Sequence, residues 1–434
     1  MKTLFTLFFI AVTFSCFAKP QESNDEIVIR LETEVQLIAL NVTDFVNQSD
    51  LPKTYIQQLN EVLRFDLNHN GMTYVTSKPA DAFYTISVTL TSGNKLSATM
   101  VSANNGSKKS VDGLALTGTL SKDRRLIHQL ADALHEALFD KEGIASTQIL
   151  YAIKKQTGEK WISEIWEADY DGENARPIIK DNSYSITPIY VPAKPGHKSG
   201  SFFYVSYKAA QPKIYIASLQ DGISKRFIAM SGNQLMPAIS QQRDKVAFIC
   251  DVTSNPDLFI QAFNPESGVI GKPQQIFTAQ HASQGSPTFN PEGTQIAFVS
   301  NKDGSPRIYV IDIPSPGTSL KDVKARLVTK HSKESSAPTW SPDGSKLAYC
   351  AMTDGTRQIW IYNFNTKEER QLTRGPGNKE NPSWAPNSLS LVYNSSDPGS
   401  SDLYLINLNQ PKATKITSGP GEKRFPSWLG GSAP

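Results

Sequence analysis

The sequence predicts a two-domain protein in which a small α/β N-terminal domain precedes a six-bladed β-propeller. Its 434 residues exceed the size of one ordinary hydrophobic core. A short proline motif recurs six times, and an isolated copy of one strand ends the chain. We expect a signal peptide over residues 1–18, the N-terminal domain with a mobile first segment over 19–145, and the propeller over 146–434.

The proline motif sets the repeat length. Its members are Pro188, Pro237, Pro287, Pro338, Pro382 and Pro426, at intervals of 49, 50, 51, 44 and 44 residues. Each proline is followed two positions later by an aromatic or aliphatic residue. The clearest unit, residues 338–373, divides into four short strands, with the turn Ser341-Pro342-Asp343-Gly344 after the first. Repeats of this length with four strands each indicate propeller blades.

The two ends of the repeat region complement each other. The first unit, residues 149–187, has three strands but no Pro-x-Trp strand in front of them. The last motif, Phe425-Pro426-Ser427-Trp428, is that strand without its followers. Joining the two would complete a sixth blade and remove the exposed sheet edges of an open ring.

The N-terminal domain is predicted from shorter alternating patterns. We expect strands at 27–31, 35–42, 73–75, 83–90, 96–101 and 114–120, and a helix at 52–67. A final helix is expected to start after Ser121 as N-cap, with leucines at 126, 130, 134 and 138 on one face. Residues 19–25 are polar and predicted to be mobile.

The first 18 residues have the features of a cleavable export signal. Lys2 precedes an apolar run from Leu4 to Phe14, and Cys16 and Ala18 supply small residues before the predicted cleavage site. A membrane anchor is the alternative, but it needs a longer apolar stretch. A lipoprotein start at Cys16 is disfavoured by Thr13, where leucine is usual. We therefore expect a soluble, exported protein.

Charge and cysteine content exclude several classes of function. The net charge is +3, so neither nucleic acid nor an anionic membrane surface is indicated as a partner. The cysteines beyond the signal, Cys250 and Cys350, lie in different repeats too far apart for a disulfide. Both are expected to be buried free thiols.

Enzymatic signatures are missing from the sequence. It has no Gly-x-Ser-x-Gly elbow, phosphate-binding glycine loop, His-Glu-x-x-His segment or paired Cys-x-x-Cys motif. We therefore predict no catalytic residues, no cofactor and no resident metal. The alternative is a metal-dependent lyase or hydrolase that uses His281 and His331, which precede two of the blade prolines and could face the central channel.

Two other polar groups invite a metal interpretation. His128, Asp132 and His135 share one face of the final predicted helix, and a solvated polar face is the favoured interpretation over a metal site. The turn Asp169-Tyr170-Asp171-Gly172 resembles part of a calcium loop but lacks the distal glutamate. We interpret it as the turn between the third and fourth strands of the first blade.

Three segments together resemble the TolB family, the periplasmic propeller proteins of the Tol-Pal envelope system. Residues 124–153 are similar to the family's hinge, in which a helix runs into the first propeller strand. Asp169-Tyr170-Asp171-Gly172 resembles the family's Ser-Asp-Tyr-Asp-Gly turn, and residues 423–428 resemble its Lys-Phe-Pro-Ala-Trp ending. The order of parts is similar over almost the whole mature chain.

The resemblance implies a monomeric scaffold that supports outer-membrane integrity and envelope constriction at cell division. It implies that a peptidoglycan-associated lipoprotein similar to Pal binds at the mouth of the propeller channel. The resemblance assigns this contact to Asn233, Met236 and Gly285, and the matching loops of other blades add Ser335, Ser336, Glu380, Asn381, Lys423 and Arg424. An inner-membrane partner similar to TolA would bind the N-terminal segment Glu26-Ile27-Val28-Ile29-Arg30. Asn233 and Gly285 replace a family histidine and threonine.

Overall fold

The computed structural model describes residues 36–194, 196–197, 199–332 and 334–429. The predicted signal peptide, the polar segment 19–25, the strand expected at 27–31 and the candidate binding segment 26–30 lie outside the described residues. Within the described ranges, every helix is too short or too polar to span a bilayer.

The N-terminal domain is a mixed sheet covered by two helices. Its strands are β1 (Ile38–Val42), β2 (Val46–Asn47), β3 (Thr73–Val75), β4 (Tyr84–Leu90), β5 (Lys95–Ser102) and β6 (Lys108–Ala115); its helices are α1 (Lys53–His69) and α2 (Leu120–Phe139). The strand order is β3-β1-β4-β5-β6, with β2 beside β4, and β1 runs parallel to β3 and β4. Leu40, Leu63 and Leu130 are fully buried in one shared core, so sheet and helices form one unit.

The predicted strand at 114–120 and the N-cap at Ser121 were both wrong. The strand is β6, which ends at Ala115, and α2 begins at Leu120 with Thr119 in the capping position. Asp123 explains the difference, because its carboxylate accepts hydrogen bonds from the backbone N–H groups of Thr117 and Gly118 at 2.7 and 2.9 Å. These bonds form a turn where the apolar pattern predicted a strand.

Six four-stranded sheets make up the propeller, as predicted. Blade 1 contains β7 (Gln148–Thr157), β8 (Lys160–Asp169) and β9 (Arg176–Ile179); blade 2 contains β10 (Ser185–Tyr190), β11 (Ser201–Ala209), β12 (Gln211–Ser218) and β13 (Ser224–Arg226). Blade 3 contains β14 (Gln234–Ile239), β15 (Lys245–Cys250), β16 (Asp257–Asn264) and β17 (Gly268–Phe277); blade 4 contains β18 (Gln284–Phe289), β19 (Gln295–Ser300), β20 (Arg307–Asp312) and β21 (Arg326–Leu327). Blade 5 contains β22 (Ser335–Trp340), β23 (Lys346–Thr353), β24 (Thr356–Asn363) and β25 (Glu369–Gln371); blade 6 contains β26 (Asn378–Trp384), β27 (Ser390–Asp397), β28 (Ser400–Asn407) and β29 (Gln410–Lys415).

The last strand, β30 (Glu422–Trp428), closes the ring by pairing with β7 as the innermost strand of blade 1. Trp428 is opposite Ile149 in this antiparallel pair. Its backbone N–H donates to Ser383 Oγ at 2.9 Å, and its indole N–H donates to Thr147 Oγ1 at 2.7 Å. The predicted closure is confirmed, and one side chain connects blade 6, blade 1 and the segment that enters the propeller.

Packing between blades holds the ring together. The buried clusters join residues from neighbouring sheets, such as Phe203 of blade 2 with Phe248 of blade 3. Cys250 and Cys350 are free, buried thiols, as predicted. Burial raises the pKa of the Cys350 thiol to about 12, so it is an unreactive apolar side chain.

Candidate functional site: the channel and its mouth

The two ends of the propeller differ in what covers them. Antiparallel order places the turns after first and third strands at one end, and the hairpins after second strands at the other. The N-terminal domain binds the first end, where Asn387 Nδ2 donates to the Asn70 carbonyl at 3.1 Å and Asn409 Nδ2 donates to the Gly71 carbonyl at 2.8 Å. The other end, where loops enter each innermost strand, is the channel mouth.

A cavity of about 1100 Å³ occupies the propeller axis. All six repeated prolines line it. His135, Lys141 and Glu142 of the N-terminal region line its far end, so this domain forms part of the channel floor. The cavity is large enough for a peptide segment or a small ligand.

Each blade contributes one unusual backbone position to this channel, directly before its proline. These residues have φ between 44° and 54° and lie where the pairing of first and second strands shifts register; they are Thr187, Met236, Ser286, Ala337, Asn381 and Phe425. All six line the cavity. Non-glycine residues with positive φ are strained, and such positions cluster at binding sites.

Met236 and Gly285 are brought together at this level of the channel. The Met236 side chain is 38% exposed, and its sulfur accepts a hydrogen bond from the Ser286 backbone N–H at 3.1 Å. A Cβ atom at Gly285 would lie 3.7 Å from that sulfur. The two candidates therefore form one accessible contact between blades 3 and 4.

Three further candidates lie at the mouth but are already held by internal bonds. Asn233 Nδ2 donates to Asp251 Oδ2 at 2.6 Å, and Asn381 Nδ2 donates to Asn394 Oδ1 at 2.8 Å. Glu380 forms an ion pair with Arg357 at 2.8 Å. A partner would meet these side chains in fixed positions.

Ser335 and Lys423 were expected to be accessible to a partner, but both side chains are buried. Ser335 is 1% exposed and Lys423 is 3% exposed. The Lys423 ammonium lies 3.2 Å from Asp402 and also donates to the Gly419 carbonyl, so it holds the closing strand in place. Ser336 and Arg424 are partly exposed, with Arg424 paired to Glu422 at 2.8 Å.

Sequence reasoning missed a set of apolar side chains around the mouth. They are Trp161, Tyr207, Val252 and Met352, each at or beside a hairpin between second and third strands and each exposed by 37–52%. The sequence signal was an apolar residue within two or three positions of these hairpin turns.

The metal-site hypothesis required His281 and His331 to face the central channel, and this arrangement is not observed. His281 and His331 are exposed, and neither belongs to the residues that line the channel cavity. Among the described residues, groups of three or more potential metal ligands are not found.

The polar face of α2 is buried, so the predicted solvated face was wrong. His128 is 1% exposed and donates from Nδ1 to Asp66 Oδ2 of α1 at 2.8 Å. His135 is 5% exposed, and burial lowers its pKa to about 4. Asp132 accepts from the backbone N–H groups of Ala145 and Ser146, both at 2.8 Å, in the segment that leads to β7.

The turn Asp169-Tyr170-Asp171-Gly172 connects the third and fourth strands of blade 1, as predicted, and it contacts the N-terminal domain. The Tyr170 hydroxyl donates to Asp66 Oδ1 at 2.8 Å. Arg124 pairs with Asp171, and Arg125 pairs with Asp169 at 3.1 Å. The acidic turn is therefore paired with the N-terminal domain.

Known proteins share both sequence and fold with this chain. Residues 135–428 match the model of the TolB beta propeller domain family. The chain is 55% identical over 383 residues to a "Protein TolB homolog" from Protochlamydia amoebophila, covering 82% of this chain and 81% of that protein. A "Protein TolB homolog" from Chlamydia caviae is 37% identical over 373 residues, covering 85% of each.

A solved structure has the same fold over nearly the full length. The crystal structure of TolB from Acinetobacter baumannii superimposes with a TM-score of 0.73 at 19% identity, covering 91% of this chain and 97% of that one. At this level of identity the match supports the two-domain architecture alone.

Proposed function

Because the chain belongs to the TolB family, we propose that it is a periplasmic scaffold of the Tol-Pal system. In this proposal it is a monomer that binds a peptidoglycan-associated lipoprotein similar to Pal at the channel mouth. It binds a partner similar to TolA through residues 26–30, and it reaches the outer membrane only through its partners. It thereby supports outer-membrane integrity and constriction at cell division.

The observation that carries the proposal is the difference between the two ends of the propeller. The N-terminal domain binds one end, whereas the other presents exposed Met236 together with Trp161, Tyr207 and Met352. Rigid blades hold these side chains, so a partner can dock without an ordering cost in the scaffold. Ser335 and Lys423 are not part of the proposed contact, since their side chains are buried.

The first prediction tests the mouth directly. Met236→Glu should weaken binding of the organism's own Pal-like lipoprotein about tenfold or more, because docking would bury an unpaired carboxylate. Binding to the immobilised full chain is measured by biolayer interferometry, and thermal unfolding checks that the variant stays folded.

The matched control is Ile223→Glu. Ile223 is 74% exposed in the hairpin between β12 and β13, at the end opposite the mouth. This variant should bind the lipoprotein as the unchanged protein does. Equal loss in both variants, or no loss in Met236→Glu, would remove the mouth from the proposal.

A further inference from the structure

The interface between the two domains contains a buried cluster of ionisable groups. Asp66 of α1 and His128 of α2 are each 1% exposed, and Tyr170 of blade 1 is 0% exposed. Asp169 and Asp171 flank Tyr170, while Arg124, Arg125 and Asp132 face the cluster from α2. Buried charges are tolerated only when each is paired, so the charge balance of this cluster affects how firmly the domains hold together.

His128 lies between two carboxylates. Its Nδ1 donates to Asp66 Oδ2 at 2.8 Å, and its Nε2 faces Asp171 Oδ2 at 3.5 Å. A neutral imidazole with its proton on Nδ1 would direct a bare Nε2 lone pair at the Asp171 carboxylate. Only the doubly protonated ring presents an N–H to both carboxylates.

The charges of the neighbouring groups also favour the doubly protonated state of His128. Arg124 pairs with Asp171, and Arg125 pairs with Asp169, which leaves Asp66 without a cation unless His128 is protonated. The backbone N–H groups of Ala145 and Ser146 bind Asp132 separately. Loss of the His128 proton would therefore leave an uncompensated carboxylate in the interface.

We propose that Asp66, His128 and Asp171 form a proton-dependent latch that holds the N-terminal domain against the propeller. The latch joins α1 and α2 to the turn after β8, and Tyr170 extends it to the ring-closing Trp428, whose ring centroid lies 6.1 Å away. The same contacts thus connect domain docking to the strand that closes the ring. The proposal holds whichever partner binds at the mouth.

The pKa shifts of Asp66 and His128 both predict how domain docking depends on pH. Burial raises the pKa of Asp66 to about 6, and the carboxylates of Asp66, Asp171 and Asp169 hold the pKa of His128 above its ordinary value. A group whose pKa rises on docking stabilises the docked state at low pH and loses that contribution as pH rises. The Asp66 contribution is therefore lost as pH rises from about 4 to about 6, and the His128 contribution is lost as pH rises above the ordinary histidine value of about 6.5.

His69 gives a separate contribution of opposite sign at the same interface. Its Nδ1 donates to the Phe65 carbonyl at 2.7 Å, so its Nε2 accepts from the Thr414 hydroxyl at 3.0 Å. Burial lowers the pKa of His69, so its contribution is lost as pH falls below the ordinary value of about 6.5. The two histidines thus act on different limbs of the pH profile.

The experiment measures hydrogen exchange of the full chain at peptides covering residues 144–147 and 169–173, from pH 5 to 8.5. The Tyr170 amide donates to the Thr147 carbonyl at 3.1 Å, and the Ala145 and Ser146 amides donate to Asp132, so these peptides report the interface. After correction for intrinsic exchange, protection should fall by up to about tenfold per pH unit as pH rises from the ordinary histidine value of about 6.5 to the raised pKa of His128, and should level off above it.

His128→Gln should abolish this fall, whereas His69→Gln should reduce only the loss at low pH. His135→Gln is the matched control, because His135 is buried on the same helix and makes no ion pair with a propeller carboxylate among the described residues. It should keep the fall at high pH, although it can reduce the loss at low pH because burial also lowers the pKa of His135. An unchanged high-pH fall in His128→Gln would overturn the latch.

A direct titration keeps the test decisive if His128→Gln does not fold. The chain has only 6 histidines, so their ring signals can be assigned by NMR of histidine-labelled protein. His128 should titrate above its ordinary pKa, and Asp66→Asn should lower it and shift the loss of protection to lower pH. A His128 ring that titrates at or below its ordinary pKa would also overturn the proposal.

Discussion

At the scale of single residues, Gly172 shows how closely two blades approach at the seam of the ring. Its φ is +89°, and a Cβ atom built there would lie 1.7 Å from the Ile416 carbonyl oxygen of the neighbouring blade. Backbone cannot move aside as a flexible side chain can. The glycine is therefore required both for its conformation and for the contact.

Gly172→Ala should destabilise the protein by several kcal/mol, because strain and a backbone clash add. Gly158→Ala separates the two effects, since Gly158 has φ +60° but nothing within 4 Å of its would-be Cβ. That control should cost about 1 kcal/mol. Urea unfolding measures both, and equal losses would contradict a role for close approach.

At the scale of elements, β30 decides whether the ring is closed. Trp428 is 5% exposed and packs in the cluster that also contains Tyr151, Tyr170 and residues of the N-terminal domain. Truncating a buried tryptophan removes its transfer free energy and leaves a cavity. The pairing of β30 with β7 depends on this anchor.

Trp428→Ala should lower the free energy of unfolding by about 3–5 kcal/mol. Trp161→Ala is the matched control, because Trp161 is 52% exposed at the mouth, and its loss should leave stability nearly unchanged. Thermal and urea unfolding check both variants. Little loss in Trp428→Ala would show that the ring does not depend on its last strand.

At the scale of the whole molecule, the proposed partners bind separate parts of the chain. Residues 26–30 precede the first described residue, whereas the mouth lies at the end of the propeller that faces away from the N-terminal domain. The two binding events should therefore be separable by truncation.

A mature chain that begins at Gln36 should lose binding to the TolA-like protein and keep binding to the Pal-like lipoprotein within about twofold. Both affinities are measured on the same immobilised protein. Retained binding of the TolA-like partner would move that site away from residues 26–30.

Much of the fold followed from sequence because its signals are local and repeated. The six proline motifs predicted six blades, and the unmatched Phe425-to-Trp428 strand predicted the closure. Strand and helix positions in the N-terminal domain were mostly close to those observed. The exceptions were β2 and most of β6, which were not predicted, and the 114–120 segment, where Asp123 forms a turn through side-chain bonds that periodicity does not report.

The sequence by itself determined the architecture and, through the resemblance of three segments, the family. Only the tertiary structure decided which candidates are accessible: it buried Lys423 against Asp402 and left Met236 exposed in the channel. It also buried the polar face of α2, where His128 lies between Asp66 and Asp171. The reason is that periodicity encodes which elements form, whereas burial and charge pairing depend on residues distant in sequence that meet only after the domains pack.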